Sequence, residues 1–317
     1  MKSIGPIVES SEAFIISKMF HTTKNTILYI GKDDREIINI QNKLSWLLPN
    51  QKVLLYKAWD QIPYDNISPS KEVQTSRLKT LNYLNSNQRE RKILLTTVNA
   101  IIQKIIPKNK LNESFFQISI YDKIEVNKLI LLLVKLGYER TSIVRDKSEF
   151  AIRGSIIDIF LPQHNKPIRI DLFDNDIESI YEFDPITQKR IKKSHLENII
   201  LHPSCELIIE DNNIEIFRAN FRLIFQDYRK SKIYEFFSNR KIPSGGEQYL
   251  PLFYKRMDTL FDYCENSKLI LQNDILNLFE ERIENLNDFY SARIQSNDEF
   301  YLKPTSLFVE ENYFKNF

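Results

Sequence analysis

An alternation of apolar and polar residues between Glu149 and Pro185 constrains the fold of this chain most strongly. A β-strand directs successive side chains to opposite faces, so residues two apart share one face of a sheet. The pattern predicts three strands joined by tight connections, at Glu149–Phe160, Ile168–Phe173 and Ile177–Phe183. The middle strand alternates an apolar set with a cation, an anion and an aromatic ring: Ile168, Ile170 and Leu172 against Arg169, Asp171 and Phe173. The apolar face suits a core, and the other face is a candidate binding surface.

Strands and helices alternate over the first 114 residues. Short apolar strands are predicted at Thr26–Ile30, Lys52–Tyr56 and Lys92–Thr96. Helical spacing of apolar residues predicts the elements between and after them: Glu12–Phe20, Asp34–Leu48, Lys71–Leu84 and Val98–Ile106. Strands that alternate with helices indicate a parallel sheet with helices on its faces.

The pattern changes twice further along the chain. From residue 115 to 201, one helix at Val126–Leu136 is followed by Gly137, a strand at Thr141–Val144 and the three strands above. Sequential strands with short turns indicate an antiparallel α+β module. From 202 to 317 the pattern is mainly helical, with these predicted elements: helices Asn213–Arg229, Tyr234–Asn239 and Asp274–Tyr290, and a strand at Lys268–Leu271. We therefore expect three segments, 1–114, 115–201 and 202–317.

A phosphate-binding loop needs glycines followed by a lysine and a hydroxyl residue at a helix start. None of the six glycines precedes a Lys-Ser or Lys-Thr pair. The segment Gly5–Ala13, where such a loop would lie, lacks a lysine and carries two glutamates that would repel phosphate. We therefore expect no ATP binding of the usual kind.

The composition bears on four further properties, which are nucleic-acid binding, metal binding, membrane insertion and secretion. The net charge of +2 over 317 residues demands no dedicated nucleic-acid surface, although local basic patches stay open. The two cysteines and four histidines show no metal-ligand spacing, so we expect no metal and no cofactor. The longest apolar run, Leu129–Val134, is too short to span a bilayer. The first residues lack the apolar core of a signal peptide, so we expect a cytoplasmic protein with no membrane partner.

Four carboxylates near the alternating stretch invite a catalytic interpretation: Glu149, Asp158, Asp171 and Asp176. A pair of carboxylates can act as general acid and base. No nucleophile or histidine accompanies these, so strand-face charges and turn caps explain them better. We expect no catalytic residues.

Two segments carry a family resemblance. They are Lys57–Leu81, KAWDQIPYDNISPSKEVQTSRLKTL, and Gly137–Pro185, which contains FAIRGSIIDIF and LFDNDIESIYEFDP. Together with Pro243–Phe253, PSGGEQYLPLF, they resemble the N-terminal UvrB-homology module of the bacterial transcription-repair coupling factors, Mfd. UvrB itself keeps a phosphate loop and inserts a long aromatic hairpin after its Pro-Tyr loop. This chain departs from both features, and the departures favour the coupling-factor module.

The resemblance implies a degenerate RecA-like parallel sheet built from the first and third segments, with an antiparallel α+β domain inserted between them. It implies that the inserted domain binds UvrA, and the matching contact positions are Arg153, Arg169 and Phe173. The family continues into a polymerase-binding domain and a double-motor translocase. RNA polymerase and DNA are therefore expected as partners of regions that this chain lacks, and the chain itself is expected to be a non-enzymatic fragment or truncated product that recruits excision repair. A restraining effect on the motor of the full-length protein is a further expectation.

Alternatives stay open at this point. Phe173 could pack in a core, and the two arginines could form ordinary surface ion pairs with Asp171 or Asp158. Gly154 could mark a bulge, set the direction of Arg153, or make room for a neighbour. The aromatic loop around Trp59, Pro63 and Tyr64 could stack on a base, although the family comparison favours a structural role. As whole functions, a UvrB-like ATPase or helicase subunit and a direct DNA-binding protein are the two competitors.

Overall fold

The computed structural model describes residues 11–87, 90–295, 300–310 and 313. Its helices and strands in chain order are as follows: α1 Glu12–Thr22, β1 Ile27–Gly31, α2 Asp34–Leu47, β2 Val53–Tyr56, α3 Lys71–Ser86, β3 Ile93–Thr97, α4 Val98–Ile101, α5 Lys108–Asn112, β4 Phe116–Ser119, α6 Val126–Lys135, β5 Glu139–Arg140, β6 Glu149–Arg153, β7 Ile156–Ile159, β8 Ile168–Phe173, β9 Asp176–Glu182, β10 Asn198–Leu201, α7 Asp211–Ile224, α8 Lys232–Ser238, α9 Leu260–Tyr263, β11 Lys268–Leu271, α10 Ile275–Gln295 and α11 Pro304–Leu307. Two 3₁₀ helices lie at Tyr228–Lys230 and Gly246–Phe253.

The chain forms two compact units, and the first comprises residues 1–67, 80–108 and 256–317. Its centre is a parallel sheet in the order β11-β1-β3-β2. Both faces of β1 and β3 are buried, which explains their continuous apolar sequences. α1 and α2 cover the sheet through buried residues such as Ile16, Ile37 and Leu44. The predicted parallel sheet with helices on it is confirmed.

The second unit comprises residues 68–79 and 109–255. It contains a five-stranded sheet in the order β5-β6-β7-β8-β9, antiparallel except for the short β5, and a separate antiparallel pair of β4 and β10. One face of the five-stranded sheet packs against α6 and forms the core, with members such as Leu133, Ile157, Ile170 and Ile180. The mixed α/β class with one parallel and separate antiparallel sheets is therefore confirmed.

The predicted strand at Glu149–Phe160 is wrong, because this segment is a hairpin of β6 and β7. Gly154 and Ser155 form its turn, and Gly154 has a φ of +61°. A left-handed backbone at the first turn residue suits glycine. No atom outside the neighbouring residues lies within 4 Å of the position that a Cβ of Gly154 would take. The glycine therefore serves the turn and not a close approach.

Three further elements differ from the sequence prediction. The strand expected at Thr141–Val144 is absent, and pairing occurs just before it in β5. The helix expected to run to Arg229 ends at Ile224. The helix expected to reach Ile106 ends at Ile101, because Gln103 and Ile105 instead form isolated antiparallel bridges with Phe308 and Asp258, which are distant in the sequence. In each case long-range pairing or a chain reversal overrides local periodicity.

Candidate protein-binding site

The face of the five-stranded sheet opposite α6 is called the outer face here. It carries Arg153 from β6, Asp158 from β7, and Arg169 with Phe173 from β8. Asp158 stands directly across from Arg169 in the strand register, and Arg153 stands across from Ile156. The alternation in the sequence thus brings both arginines to one carboxylate.

Asp158 binds both arginines. Its Oδ1 accepts from Arg169 Nε at 2.6 Å and its Oδ2 accepts from Arg169 Nη2 at 2.9 Å. Arg153 Nη2 donates to the same Oδ2 at 2.5 Å. Asp158 has 0% side-chain exposure, Arg169 has 12% and Arg153 has 42%. Both arginines therefore form ion pairs with Asp158, which was one of the open alternatives. These are not ordinary surface pairs, because the carboxylate is fully buried.

Arg169 has further contacts that fix its guanidinium group. Its guanidinium carbon lies 4.4 Å from the centroid of the Phe183 ring. Its Nη1 donates to the carbonyl oxygen of Gln188, and its Nη2 contacts the side-chain oxygen of the same residue, both at 3.3 Å. The hydrogen bond to Asp158 raises the pKa of Arg169, so the group stays charged. Arg169 is a largely covered part of the outer face.

Phe173 lies at the end of β8 and is 75% exposed. It is not a core residue, so the core alternative for this residue is wrong. The partner strand β9 carries an extra residue, Glu178, between the pairs Asp171↔Ser179 and Leu172↔Ile177. The regular alternation of β8 buries Leu172 and places Phe173 on the outer face, and the bulge returns Ile177 of β9 to the core side opposite Leu172.

Sequence reasoning missed a second cation–aromatic pair on the outer face. The guanidinium carbon of Arg190 lies 4.2 Å from the centroid of Tyr181, which stands across from Arg169 in the register. Burial and a hydrogen bond to Asp171 raise the pKa of Tyr181. The strand parity of Tyr181 is a signal in the sequence that could have placed its ring on this face.

Each carboxylate of the catalytic interpretation has a structural partner. Glu149 Oε2 accepts from the backbone nitrogens of Arg145 and Asp146, both at 2.8 Å. Asp171 accepts from Ser179 Oγ at 3.0 Å, and Asp176 lies 3.9 Å from the Lys123 ammonium group. These contacts are turn and strand contacts, as the sequence analysis favoured.

Tyr64 of the aromatic loop is buried, with a φ of +66°. Its ring centroid lies 5.7 Å from that of Tyr290 and 5.9 Å from that of Tyr301. These contacts agree with the structural role that was favoured for this loop. The expected position of a phosphate loop, Gly5–Ala13, falls mostly outside the described residues.

The described residues contain neither a grouped set of metal ligands nor a membrane-spanning helix. In residues 11–87, 90–295, 300–310 and 313, no three metal-ligating side chains are grouped so as to hold an ion. No helix within those ranges has the length and apolar character needed to cross a bilayer.

Comparison with known proteins bears on this site. The family model of the UvrB interaction domain matches residues 116–206, which include Arg153, Arg169 and Phe173. A transcription-repair-coupling factor of Haemophilus influenzae is 32% identical over 272 residues, which cover 85% of this chain and 23% of that protein. The chain belongs to the transcription-repair-coupling factor family.

Other relatives agree with this assignment. The transcription-repair-coupling factor of Rickettsia prowazekii is 31% identical over 303 residues, or 93% of this chain and 27% of the relative. That of Escherichia coli is 27% identical over 283 residues, or 89% of this chain and 24% of the relative. The chain thus spans about a quarter of the length of these relatives. Within the family, it corresponds to the N-terminal UvrB-homology module.

Proposed function

We propose that this chain is a non-catalytic module that binds UvrA through the outer face. The observation that carries the proposal is Phe173, a large aromatic ring that is 75% exposed on the same sheet face as two arginines fixed by Asp158. Aromatic anchors with neighbouring arginines are enriched among the residues that dominate binding energy at interfaces. The match to the UvrB interaction domain supports UvrA as the partner.

The three candidate residues have different parts in this proposal. Phe173 inserts into a pocket on UvrA, and Arg153 offers the exposed part of its guanidinium group to a carboxylate. Arg169 is too covered to be a main contact, and it positions Arg153 by holding Asp158 in place. The outer face carries three arginines, Arg153, Arg169 and Arg190, and two carboxylates, Asp158 and Asp171. The one positive charge in excess suits an acidic patch on the partner.

The proposal extends to the longer proteins of the family. There, the module recruits excision repair in the cytoplasm to RNA polymerase stalled at a lesion, and a contact with the motor restrains it. The parallel sheet of the first unit is a degenerate RecA-like sheet without ATP chemistry, shared between segments 1–114 and 202–317. Segment 115–201 is the inserted UvrA-binding domain, and the matched range 116–206 supports this boundary.

Calorimetry with purified UvrA tests the proposal. We expect the wild-type chain to bind, and Phe173→Ala and Arg153→Ala each to weaken binding by about 1–4 kcal/mol, which is about fivefold to several hundredfold. Leu131→Ala is the matched control, because Leu131 is an exposed apolar residue on α6, which covers the opposite face of the sheet.

Circular dichroism establishes that each variant is folded. Unchanged affinity in the Phe173→Ala, Arg153→Ala double variant would remove the outer face as the binding surface. An equal loss in Leu131→Ala would show that the effect is not specific to that face.

A further inference from the structure

A strongly basic segment lies outside the range matched to the UvrB interaction domain. Residues 218–241 contain seven lysines and arginines and two acidic residues, a local charge of +5 in a chain whose net charge is +2. The remaining residues therefore sum to −3. The segment covers the end of α7, the 3₁₀ helix at Tyr228–Lys230 and α8. The near-neutral total charge of the chain conceals this concentration of cations.

Two arginines of the segment lie against tyrosine rings. The guanidinium carbon of Arg222 is 5.5 Å from the centroid of Tyr228 and 5.7 Å from that of Tyr234. Its Nε donates to the Tyr234 hydroxyl at 2.7 Å. Arg229 lies 5.7 Å from the Tyr228 centroid, and its Nε donates to the Tyr228 hydroxyl at 3.3 Å. These four residues are called the basic aromatic surface.

The partners of these arginines differ from those of the neighbouring cations. Arg218 pairs with Glu215 at 2.6 Å and Lys230 pairs with Asp227 at 3.1 Å. Arg222 and Arg229 are exposed, and their partners within the described part of the chain are tyrosines and not carboxylates. The hydrogen bond from Arg229 and the charges of Arg229 and Arg222 lower the pKa of Tyr228, which reflects a positive potential.

We propose that the basic aromatic surface binds single-stranded nucleic acid through its phosphate backbone. A guanidinium group held against a ring keeps free N–H donors in a fixed plane, which matches a phosphate group. Tyr234 is packed against Phe217, Phe221 and Tyr228, and it holds Arg222 in place. The half-buried ring of Tyr228 provides the surface on which a base stacks, as in single-strand binding sites. Leu223, next to Arg222, is 84% exposed and adds apolar area for the bases. An acidic peptide would match the charges but would leave the aromatic surface unused.

Fluorescence anisotropy of the chain with a labelled single-stranded oligonucleotide of about 20 nucleotides tests this proposal. We expect the logarithm of the affinity to fall linearly with the logarithm of salt concentration, because bound phosphates release counterions. The double variant Arg222→Ala, Arg229→Ala removes two phosphate contacts, so its slope should be smaller by about 1.4. Arg35→Ala, Arg140→Ala removes two exposed arginines elsewhere and should leave the slope unchanged.

Several outcomes overturn the proposal. These are no oligonucleotide binding at low salt, an equal loss in both double variants, or equally effective competition by polyglutamate at matched charge. If Arg222→Ala, Arg229→Ala does not fold, Arg229→Ala alone is expected to reduce the slope by about 0.7, and an unchanged slope overturns the proposal.

The basic aromatic surface shares no residue with the outer face, and the proposal treats the two as separate sites. Phe173→Ala should therefore bind the oligonucleotide like the wild type, and Arg222→Ala, Arg229→Ala should bind UvrA like the wild type. A variant that loses both activities would contradict the separation of the two surfaces.

Discussion

Arg169 donates hydrogen bonds to both carboxylate oxygens of Asp158, whose side chain has no exposure to solvent. A buried carboxylate is stable only when it is paired and hydrogen-bonded, because its desolvation is otherwise very unfavourable. Arg153 donates the third hydrogen bond to the same carboxylate. The pairing makes Asp158 a fixed point from which both arginines of the outer face are oriented.

Replacing Asp158 with asparagine should destabilise the fold. The substitution leaves two cations around a neutral amide, and removing one partner of a buried pair is destabilising by about 3–5 kcal/mol. We expect the lower end, about 3 kcal/mol, because Arg153 can turn towards water. The change is measured as the free energy of unfolding in urea.

Asp174→Asn is the matched control for this substitution. Asp174 lies in the exposed turn between β8 and β9 with a φ of +57°, a backbone conformation that asparagine also adopts. The control should change stability by less than about 0.5 kcal/mol. Equal effects of the two substitutions would contradict a special role for the Asp158 carboxylate.

The two arginines should respond differently to replacement by lysine. Arg169→Lys keeps the charge but loses the two-bond fork to Asp158 and the plane that lies on Phe183, so we expect a loss of about 1.5–3 kcal/mol. Arg153→Lys keeps a single charge-assisted contact at a more exposed position, and we expect a loss below about 0.5 kcal/mol. Urea unfolding of both variants checks the order, and the reverse order would refute the assignment of Arg169 as the positioning residue.

Sequence periodicity was enough to place most strands and the faces of β8. The alternation of apolar and polar residues put Arg169 and Phe173 on one face, and the register confirms this for Arg169 opposite Asp158. The parallel strands of the first unit were also predictable, because strands buried on both faces are continuously apolar.

Other features depend on pairings that no local pattern contains. Arg77 and Glu206 are both fully buried and form an ion pair across 129 positions of sequence. The alternation of β8 predicts the face of Phe173 but not its 75% exposure, because phenylalanine is usually buried and a sheet face can be covered by another layer. The alternation of apolar and polar residues on both sides of Gly154 is compatible with one long strand or with two short strands in a hairpin. The sequence therefore did not decide between them.

Two glycines with positive φ should differ in their tolerance of alanine. Gly137 has a φ of +84°, and a Cβ there would lie 2.5 Å from Cys205 Sγ and 2.8 Å from Ser204 Oγ. Gly137→Ala adds this overlap to left-handed strain, so we expect a loss of about 2–4 kcal/mol. Gly154→Ala adds only left-handed backbone strain at a φ of +61°, without any overlap, and should lower the free energy of unfolding by about 1 kcal/mol. Urea unfolding of both variants makes the comparison, and equal losses would contradict crowding at Gly137.

His202 should make the stability of the chain depend on pH. Burial lowers its pKa to about 4, and the charges of His164 and Lys79 act in the same direction. Because this pKa lies below the unfolded value of about 6.5, the unfolded state binds more protons between the two values. Stability should therefore be unaffected by this group above pH 6.5 and should fall as the pH drops towards 4. The expected loss from His202 is about 2 kcal/mol at pH 5.

Urea unfolding at pH 7.5 and pH 5.0 measures this contribution. His202→Gln should lose less stability over this interval than the wild type by about 2 kcal/mol, since the substituted group binds no proton. His164, whose pKa burial also lowers, continues to contribute in His202→Gln, so some dependence on pH should remain in this variant. The His202 ring packs against Phe115, with ring centroids 4.9 Å apart, which predicts a buried neutral imidazole. The same loss of stability between pH 7.5 and pH 5.0 in the wild type and in His202→Gln would contradict this prediction.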